Sequence, residues 1–310
     1  MPVAVLFPGQ GSQYVGMANP WSSHSAGAAV FEQVSEAMDR DLVELCRDET
    51  ALRTTELVQP ALFACDLAAF RVLEAEGVSF AAAAGHSLGE FVALVAAGAL
   101  ETEPALAVVV ERGRAMQEAS ENEPGTMTAL IGLSPAESAE LCAIAGRGGV
   151  LEVANENAPK QTVLSGSVEA IENAEELARS RGAKAVRLKV AGAFHSPLMK
   201  PAVATVRAAI ANLEFKQPRF PVVPNVSARP TIEPSALRDV LSRQIVSPVR
   251  WATSMNAMVE AEIDTFAEAG PGDVLTKLAK RSAPGATAIP IGSPEDAVSF
   301  AQSIPEEDPT

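Results

Sequence analysis

The segment Gly85–Gly89 reads GHSLG, a G-x-S-x-G pentapeptide with Ser87 at its centre. It lies between a predicted buried strand and a predicted helix, an arrangement that holds a serine in a tight, exposed turn and uses the glycines to leave room for the backbone. The free N–H groups and the dipole of the following helix would favour an oxyanion at this place. The pattern predicts a nucleophilic serine, and the alternative is a glycine-rich turn without catalytic function.

A nucleophilic serine needs a base, and the chain has three histidines. His86 is adjacent to Ser87, and adjacent side chains in a turn point apart. His24 lies in a stretch rich in Ser, Asn and Pro, which is typical of a surface loop. His195 lies at a predicted strand-to-helix junction, so we expect it to be the base rather than a purely structural histidine.

Composition and charge exclude several classes of protein. The chain has 24 basic and 39 acidic residues and a net charge of −15, which argues against binding to nucleic acid or to anionic membranes. Cys46, Cys65 and Cys142 have no CxxC spacing, so we expect neither a disulfide framework nor a metal site. The apolar runs Val3–Phe7 and Phe91–Leu100 are too short for a signal peptide or a membrane span. The expected location is the cytoplasm.

The elements that would position these residues alternate between strands and helices. The first part of the chain predicts two strands and four helices, namely strands Val3–Phe7 and Val78–Ala84 and helices Ala29–Arg47, Gln59–Glu76, Glu90–Leu100 and one from Thr102 to about Ser120. The last part predicts further α/β structure, with helices Pro197–Leu213, Ser235–Ile245, Met255–Ala261 and Asp273–Arg281 and strands Pro221–Val226 and Asp264–Ala269. The acidic end, Glu306–Thr310, is predicted to be frayed.

The middle of the chain has a different order. Strands are predicted at Thr126–Leu133, Gly149–Ala154, Gln161–Leu164 and Ala183–Val190, with helices from Ser134 to Ala145 and from Ser167 to Gly182. The order β-α-β-β-α-β is the ferredoxin-like pattern. We therefore predict a small domain, residues 125–191, inserted into a larger domain formed by residues 1–124 and 192–310.

Several motifs in register resemble one known family. They are Phe7–Gln13, Gln59–Ala61, Gly85–Glu90, Arg112-Gly113, His195, Gln244 and Gly270–Gly272. The chain resembles the malonyl-CoA:acyl carrier protein transacylases and the acyltransferase domains of polyketide synthases over about residues 3–285. The resemblance implies an α/β fold, with an α/β-hydrolase-like large domain and an inserted ferredoxin-like small domain.

The resemblance also implies a mechanism without a cofactor, in which the CoA thioester is a substrate. Ser87 would take the acyl group as an ester, and His195 would move the proton. The main-chain carbonyl of Gln244 would orient the imidazole, and the backbone N–H groups of Gln10 and Leu88 would form the oxyanion hole. A nucleotide-binding loop around Gln10 is the alternative, but the loop lacks the third glycine of the dinucleotide fingerprint and the GK[ST] of a P-loop.

Three further residues concern the substrate. Arg112 would bind the free carboxylate of a malonyl group through two parallel hydrogen bonds, and the alternative is a solvated helix arginine such as Arg114. Phe194 before His195 resembles the malonyl-selecting class, although it could simply belong to the core. Asn157, in the sequence Asn-x-Asn with Asn155, would lie near the pantetheine channel or serve as a turn residue.

The expected partners are malonyl-CoA and an acidic acyl carrier protein, and the expected state is a monomer. Cations between Arg179 and Lys189, notably Arg181 and Lys184, together with Lys277 and Lys280, are candidate carrier-docking residues, or they only complement helix dipoles. A serine thioesterase, a transferase of methylmalonyl or another carboxylated group, and an inactive carrier-docking module are the alternative functions. The sequence leaves fatty acid and polyketide synthesis both open.

Overall fold

The computed structural model describes residues 2–304, so the predicted acidic tail lies outside the described residues. Nine strands lie within these residues: β1 Val3–Phe7, β2 Ala82–Gly85, β3 Thr126–Ile131, β4 Leu151–Ala158, β5 Gln161–Gly166, β6 Lys184–Arg187, β7 Val222–Val223, β8 Thr265–Ala269 and β9 Thr287–Ile291. The helices are α1 Asn19–Ser22, α2 Ser25–Met38, α3 Leu42–Leu45, α4 Thr55–Ala75, α5 Gly89–Ala96, α6 Thr102–Asn122, α7 Pro135–Ala145, α8 Val168–Ser180, α9 Lys200–Ala211, α10 Pro234–Leu241, α11 Trp251–Glu260, α12 Val274–Ser282 and α13 Pro294–Ser303. Short 3₁₀ turns occur at Ala51–Arg53, Pro197–Met199 and Gln244–Val246.

A parallel sheet forms the centre of the larger part, with the strand order β7-β2-β1-β8-β9. Strand β1 is buried at all five positions, as a continuous apolar run in a sheet covered on both faces requires. Strand β2 is almost entirely alanine, and it pairs with β1 from Ala82↔Ala4 to Gly85↔Phe7. The carboxyl ends of β1 and β2 therefore meet at one edge, which brings the loop after Phe7 beside the GHSLG turn.

The second sheet is antiparallel, with the order β4-β5-β3-β6, and it gives the predicted β-α-β-β-α-β arrangement. Helices α7 and α8 cover one face and enclose a separate core around Leu130 and Leu164. The opposite face contributes Met127, Ala129 and Val163 to the main core. The mixed α/β fold with two distinct sheets is confirmed, whereas the boundaries at 125 and 191 stay a prediction.

Several predicted elements differ from the structure. The predicted helix Ala29–Arg47 is two helices, because Asp39 adopts a left-handed conformation with φ of 49° and Asp41 caps α3. The strand predicted from Val78 begins only at Ala82, since polyalanine has a weak preference for strands and the pairing with β1 sets its limits. The capping box that starts α7, between Ser134 and Glu137, explains why the beginning of that helix was predicted correctly.

Two late elements, β9 and α13, were not predicted. Strand β9 forms the edge of the parallel sheet beside β8, and α13 packs on α4. Among residues 2–304, the helices are all too short or too polar to cross a membrane.

Candidate active site

Ser87 occupies a strained turn between β2 and α5. Its φ is 53°, in the left-handed region that residues other than glycine rarely adopt. The two flanking glycines are required by space: a Cβ on Gly85 would overlap the backbone of Gly89, and one on Gly89 would overlap the carbonyl of Phe7. The turn therefore presents the serine hydroxyl at the edge of the sheet where β1 and β2 end.

Asn225, which follows β7, holds this turn from the side. Its Oδ1 accepts a hydrogen bond from the backbone N–H of Ser87 at 2.7 Å, and its Nδ2 donates to the carbonyl of Gly85 at 2.6 Å. Asn225 is buried. One side chain thus bridges the two peptide groups on either side of His86, directly before the strained Ser87.

His195 lies against the serine, with 2.8 Å between Nε2 of His195 and Oγ of Ser87. Its Nδ1 lies 3.1 Å from the carbonyl of Gln244 and 3.0 Å from the carbonyl of Ser247. Both of these partners only accept hydrogen bonds, so the proton of a neutral ring is at Nδ1, and Nε2 is free to accept from the serine hydroxyl. His195 also has a left-handed backbone, with φ of 57°.

The electrostatics keep His195 neutral. Burial, and next the positive charge of Arg112, lower its pKa from 6.5 to about 3, although the two carbonyl contacts act in the opposite direction. An unprotonated imidazole at Nε2 can act as a general base.

Arg112 projects from α6 into the same site and is only 1% exposed. Its Nη1 donates to Oε1 of Gln59 at 2.6 Å, and its Nη2 donates to Oγ of Ser87 at 3.0 Å and to Oε1 of Gln244 at 3.1 Å. Burial lowers its pKa to about 10, with the charge of Glu90 opposing, so the guanidinium is still charged at neutral pH. Arg114, in contrast, is an exposed residue paired with Glu111.

Six of the predicted site residues, Gln10, Ser87, Leu88, Arg112, Phe194 and His195, line one cavity of about 80 Å³, whereas Gln244 and Asn157 lie outside its lining. Its polar part is formed by Gln10, Gln59, His86, Ser87, Arg112, Asn155 and His195, and its apolar part by Leu88, Met116, Met127, Leu188, Val190 and Phe194. Within residues 2–304, the backbone N–H groups of Gln10 and Leu88 donate to no protein acceptor. They are therefore available to a ligand beside Ser87. A more open cavity of about 540 Å³ shares Gln10 and Val190 with the first.

The other two histidines have structural contacts. His86 lies 2.9 Å from Oδ1 of Asn157 through its Nε2, and burial lowers its pKa. Asn157 therefore contacts the residue beside the serine, while its neighbour Asn155 lines the cavity with an Oδ1 that has no partner in the described residues. Nδ1 of His24 accepts from the backbone of Ala26 and caps α2. Among residues 2–304, no three His, Cys, Asp or Glu side chains are grouped as metal ligands would be.

The predicted docking cations are less free than the sequence suggested. Arg181 pairs with Glu140 at 3.2 Å, and Lys277 pairs with Asp273 at 2.7 Å. Arg179 and Arg187 both pair with Glu175. In contrast, Lys184 and Lys280 have no ion-pair partner among the described residues, and Lys184 is exposed.

The two groups of cations nevertheless lie at one end of the antiparallel sheet. In the strand register, Lys184 on β6 lies opposite Ile131 on β3, and Ile131 lies opposite Gln161 on β5. Arg281 of α12 contacts the side chain of Gln161. Two strand spacings, about 10 Å, separate Lys184 from Gln161.

Sequence reasoning missed three parts of the site. Neither Asn225 nor the carbonyl of Ser247 was predicted to belong to the site, and Glu90 entered only as the last residue of the Gly85–Glu90 motif. Glu90 is 1% exposed, and its Oε2 accepts from Nε2 of Gln244 at 2.7 Å and from the backbone of Asn225 at 3.1 Å. Burial raises its pKa to about 7, against these hydrogen bonds and the charge of Arg112. A carboxylate in an otherwise apolar helix start, GEFVALVA, was the available signal for Glu90.

The chain matches known proteins along nearly its whole length. The model of the acyl transferase domain family matches residues 5–297. The malonyl CoA-acyl carrier protein transacylase of Escherichia coli K12 is 40% identical over 94% of this chain and 96% of its own length.

Solved structures give the same result. The malonyl CoA-acyl carrier protein transacylase of Coxiella burnetii superimposes with a TM-score of 0.94 at 38% identity, covering 97% of each chain. A malonyl-transacylase solved in complex with its type II PKS acyl-carrier protein has a TM-score of 0.94 at 34% identity, covering 98% of this chain and all of that one. With the matches in both sequence and structure, this chain belongs to the acyl transferase domain family, in the group of the malonyl-CoA:acyl carrier protein transacylases.

Proposed function

We propose that this protein transfers a malonyl group from malonyl-CoA to the phosphopantetheine thiol of an acyl carrier protein through an ester on Ser87. The observation that carries the proposal is the position of the Ser87 hydroxyl, 2.8 Å from a neutral imidazole and 3.0 Å from a buried guanidinium. The first group can remove the serine proton, and the second can bind the carboxylate that a malonyl group carries and an acetyl group lacks.

Acylation begins when Oγ of Ser87 attacks the thioester carbonyl of malonyl-CoA and its proton passes to Nε2 of His195. The N–H groups of Gln10 and Leu88 donate to the resulting oxyanion. When the C–S bond breaks, His195 returns the proton to the CoA sulfur. The thiol of the carrier then runs the same steps in reverse, with His195 taking the thiol proton and giving it back to Ser87.

The hydrogen-bond partners of Arg112 fix where the malonyl carboxylate binds. Gln59 and Gln244 hold the guanidinium on two sides, and the third direction leads to Ser87. A bound carboxylate also neutralises the charge that lowers the pKa of His195. Malonyl binding would thus strengthen the base at the moment it is needed, which an acetyl group would not do.

Phe194 favours malonyl over larger extender groups. Its ring is buried in the wall of the cavity directly before His195. With this aromatic ring in the wall, we expect a methyl group on the α-carbon of the extender to be crowded. Methylmalonyl would therefore be a poorer substrate.

The exposed outer end of one face of the antiparallel sheet is the proposed contact surface for the carrier protein. Met127 lines the cavity, and Ile131 lies on the same face at the outer end of β3, 38% exposed. Val186, opposite Ala129 on the edge strand, is also 38% exposed, and Lys184 lies at the end of that strand. An apolar stripe with a free cation suits the contact surface of an acidic carrier, which must approach a chain of net charge −15.

In the proposed reaction one chain supplies the nucleophile Ser87, the base His195 and the carboxylate-binding Arg112, and the CoA thioester enters as a substrate. The cysteines Cys46, Cys65 and Cys142 are free and buried, which fits the cytoplasm.

The decisive experiment is intact-protein mass spectrometry after incubation with a mixture of malonyl-, methylmalonyl- and acetyl-CoA. We expect one malonyl group on the wild-type protein and none on the Ser87→Ala variant. The malonyl-enzyme should persist in buffer and disappear when a carrier protein with its phosphopantetheine is added. An ester lost at the same rate without the carrier would identify a hydrolase, and a full malonyl adduct on Ser87→Ala would refute the assignment of the nucleophile.

A further inference from the structure

Glu90 is a buried carboxylate that touches neither the cavity nor the reacting atoms. It lies in the first turn of α5, three residues after Ser87, and its side chain turns inward instead of toward solvent. Two donors from the distant C-terminal half converge on one of its oxygens, namely Nε2 of Gln244 and the backbone N–H of Asn225. Glu90 thus links three separate parts of the chain: the start of α5, Asn225 after β7, and Gln244.

The first arm of this arrangement runs through Asn225 to the serine. The hydrogen bond to Glu90 fixes the backbone of Asn225, and the side chain of Asn225 then holds the N–H of Ser87 and the carbonyl of Gly85. These two contacts lie on either side of His86 in the strained turn. The position of the nucleophile therefore depends on the position of Asn225.

The second arm runs through Gln244 to the guanidinium. Nε2 of Gln244 donates to Glu90 at 2.7 Å and to the carbonyl of Ser87 at 2.9 Å, so both of its protons have acceptors. This fixes the orientation of the amide, and its Oε1 must face Nη2 of Arg112. Without the carboxylate the amide could turn over and present a donor to the guanidinium.

We propose that Glu90 is the positioning residue that couples the serine nucleophile to the carboxylate-binding arginine, acting through Asn225 on one side and Gln244 on the other. The inference rests on the proposed function, because it assigns to Glu90 the discrimination between malonyl and acetyl donors. Its effect on Arg112 determines selectivity, and its effect on Ser87 determines the rate for both donors.

The test compares seryl-ester formation from malonyl-CoA and acetyl-CoA in Glu90→Ala, Glu90→Gln and the wild type. Glu90→Ala leaves two buried donors without an acceptor, and we expect kcat/KM for malonyl-CoA to fall by about 10- to 100-fold. The malonyl-to-acetyl ratio, meaning kcat/KM for malonyl-CoA divided by kcat/KM for acetyl-CoA, should fall as well, because Gln244 no longer holds Arg112 in place. Glu90→Gln keeps an oxygen for the two donors and should recover most of the ratio.

Glu268→Ala is the matched control. Glu268 is also a fully buried carboxylate, and it accepts two backbone N–H groups, those of Leu275 and Thr276 at the start of α12. We expect this variant to unfold at a lower temperature and to keep the malonyl-to-acetyl ratio of the wild type. Should Glu90→Ala not fold, Glu90→Asp withdraws the carboxylate from both donors and gives the same comparison.

Two results would overturn the role of Glu90: a wild-type ratio in Glu90→Ala, or equal losses for the two donors with no recovery in Glu90→Gln. Failure of the proposed function has a different signature, since the wild-type protein itself would then form no malonyl ester.

Discussion

Substitution of Arg112 tests the proposed substrate most directly. In the structure its guanidinium has three hydrogen-bond acceptors, and one of them, Oγ of Ser87, is the atom that would carry the acyl group. In Arg112→Ala a malonyl carboxylate would enter a buried pocket without its cation. The prediction is a selective loss of malonyl transfer.

The magnitude follows from the contacts. A hydrogen bond to a charged group contributes about 1.5–3 kcal/mol, and a guanidinium forms two such bonds with a carboxylate. The loss of about 3–6 kcal/mol corresponds to a decrease of about 10²- to 10⁴-fold in kcat/KM for malonyl-CoA. Acetyl-CoA has no carboxylate, and removal of the positive charge also raises the pKa of His195, so transfer from acetyl-CoA should be retained or increase.

The assay is single-turnover formation of the seryl ester from each donor, measured by mass spectrometry. Arg114→Ala is the control, since Arg114 lies on the same helix two residues away, exposed and paired with Glu111. Arg112→Lys should also be poor, because a lysine provides a point charge without the planar fork. Equal losses for malonyl and acetyl donors in Arg112→Ala would refute the reasoning and leave Arg112 with a structural function.

Two further predictions concern pH and the carrier protein. Because the folded protein holds His195 neutral with a pKa of about 3, below the usual 6.5, the unfolded chain takes up a proton first as pH falls. Because of His195, the free energy of unfolding should therefore fall by about 3 kcal/mol between pH 6.5 and pH 4. In urea unfolding, the His195→Ala variant should show a smaller decrease over the same pH range. Identical pH profiles for the variant and the wild type would contradict the buried neutral imidazole. Charge reversal at Arg181 and Lys184 should raise KM for the carrier, leave acylation by malonyl-CoA nearly unchanged, and lose its effect as salt rises, because exposed charges are screened beyond about 8–10 Å at 0.1–0.15 M ionic strength. Carrier kinetics that respond neither to the reversals nor to salt would move the docking surface elsewhere.

Local patterns predicted the elements whose limits are set by nearby residues. Strand β1 and the start of α7 were predicted correctly, because a continuous apolar run and a capping box act within a few residues. The predicted helix Ala29–Arg47 was wrong at Asp39, where a left-handed residue in a polar stretch ends α2. The helical spacing of apolar residues does not reveal that a helix is interrupted at a single residue.

The polar network around the serine could not be predicted in the same way. Asn225 lies 138 positions from Ser87, and Gln244 lies 154 positions from Glu90. Such contacts depend on strand order, which places β7 beside β2 although most of the chain between them forms other structures. The resemblance to a family indicated Gln244 for its carbonyl, whereas its side chain makes the contacts that orient Arg112.

The network also explains how two strained residues are maintained at one site. Ser87 and His195 both have positive φ, and each such residue costs on the order of 1–3 kcal/mol. The side chain of Asn225 accepts from the N–H of Ser87 and so fixes the first, and the carbonyls of Gln244 and Ser247 fix the imidazole of the second. Both supports come from the segment between β7 and α11, so this part of the chain determines whether the serine and the histidine lie in contact. The contact between Ser87 and His195 therefore depends on the assembled parallel sheet, and loosening of that segment should separate the two side chains before the rest of the fold is lost.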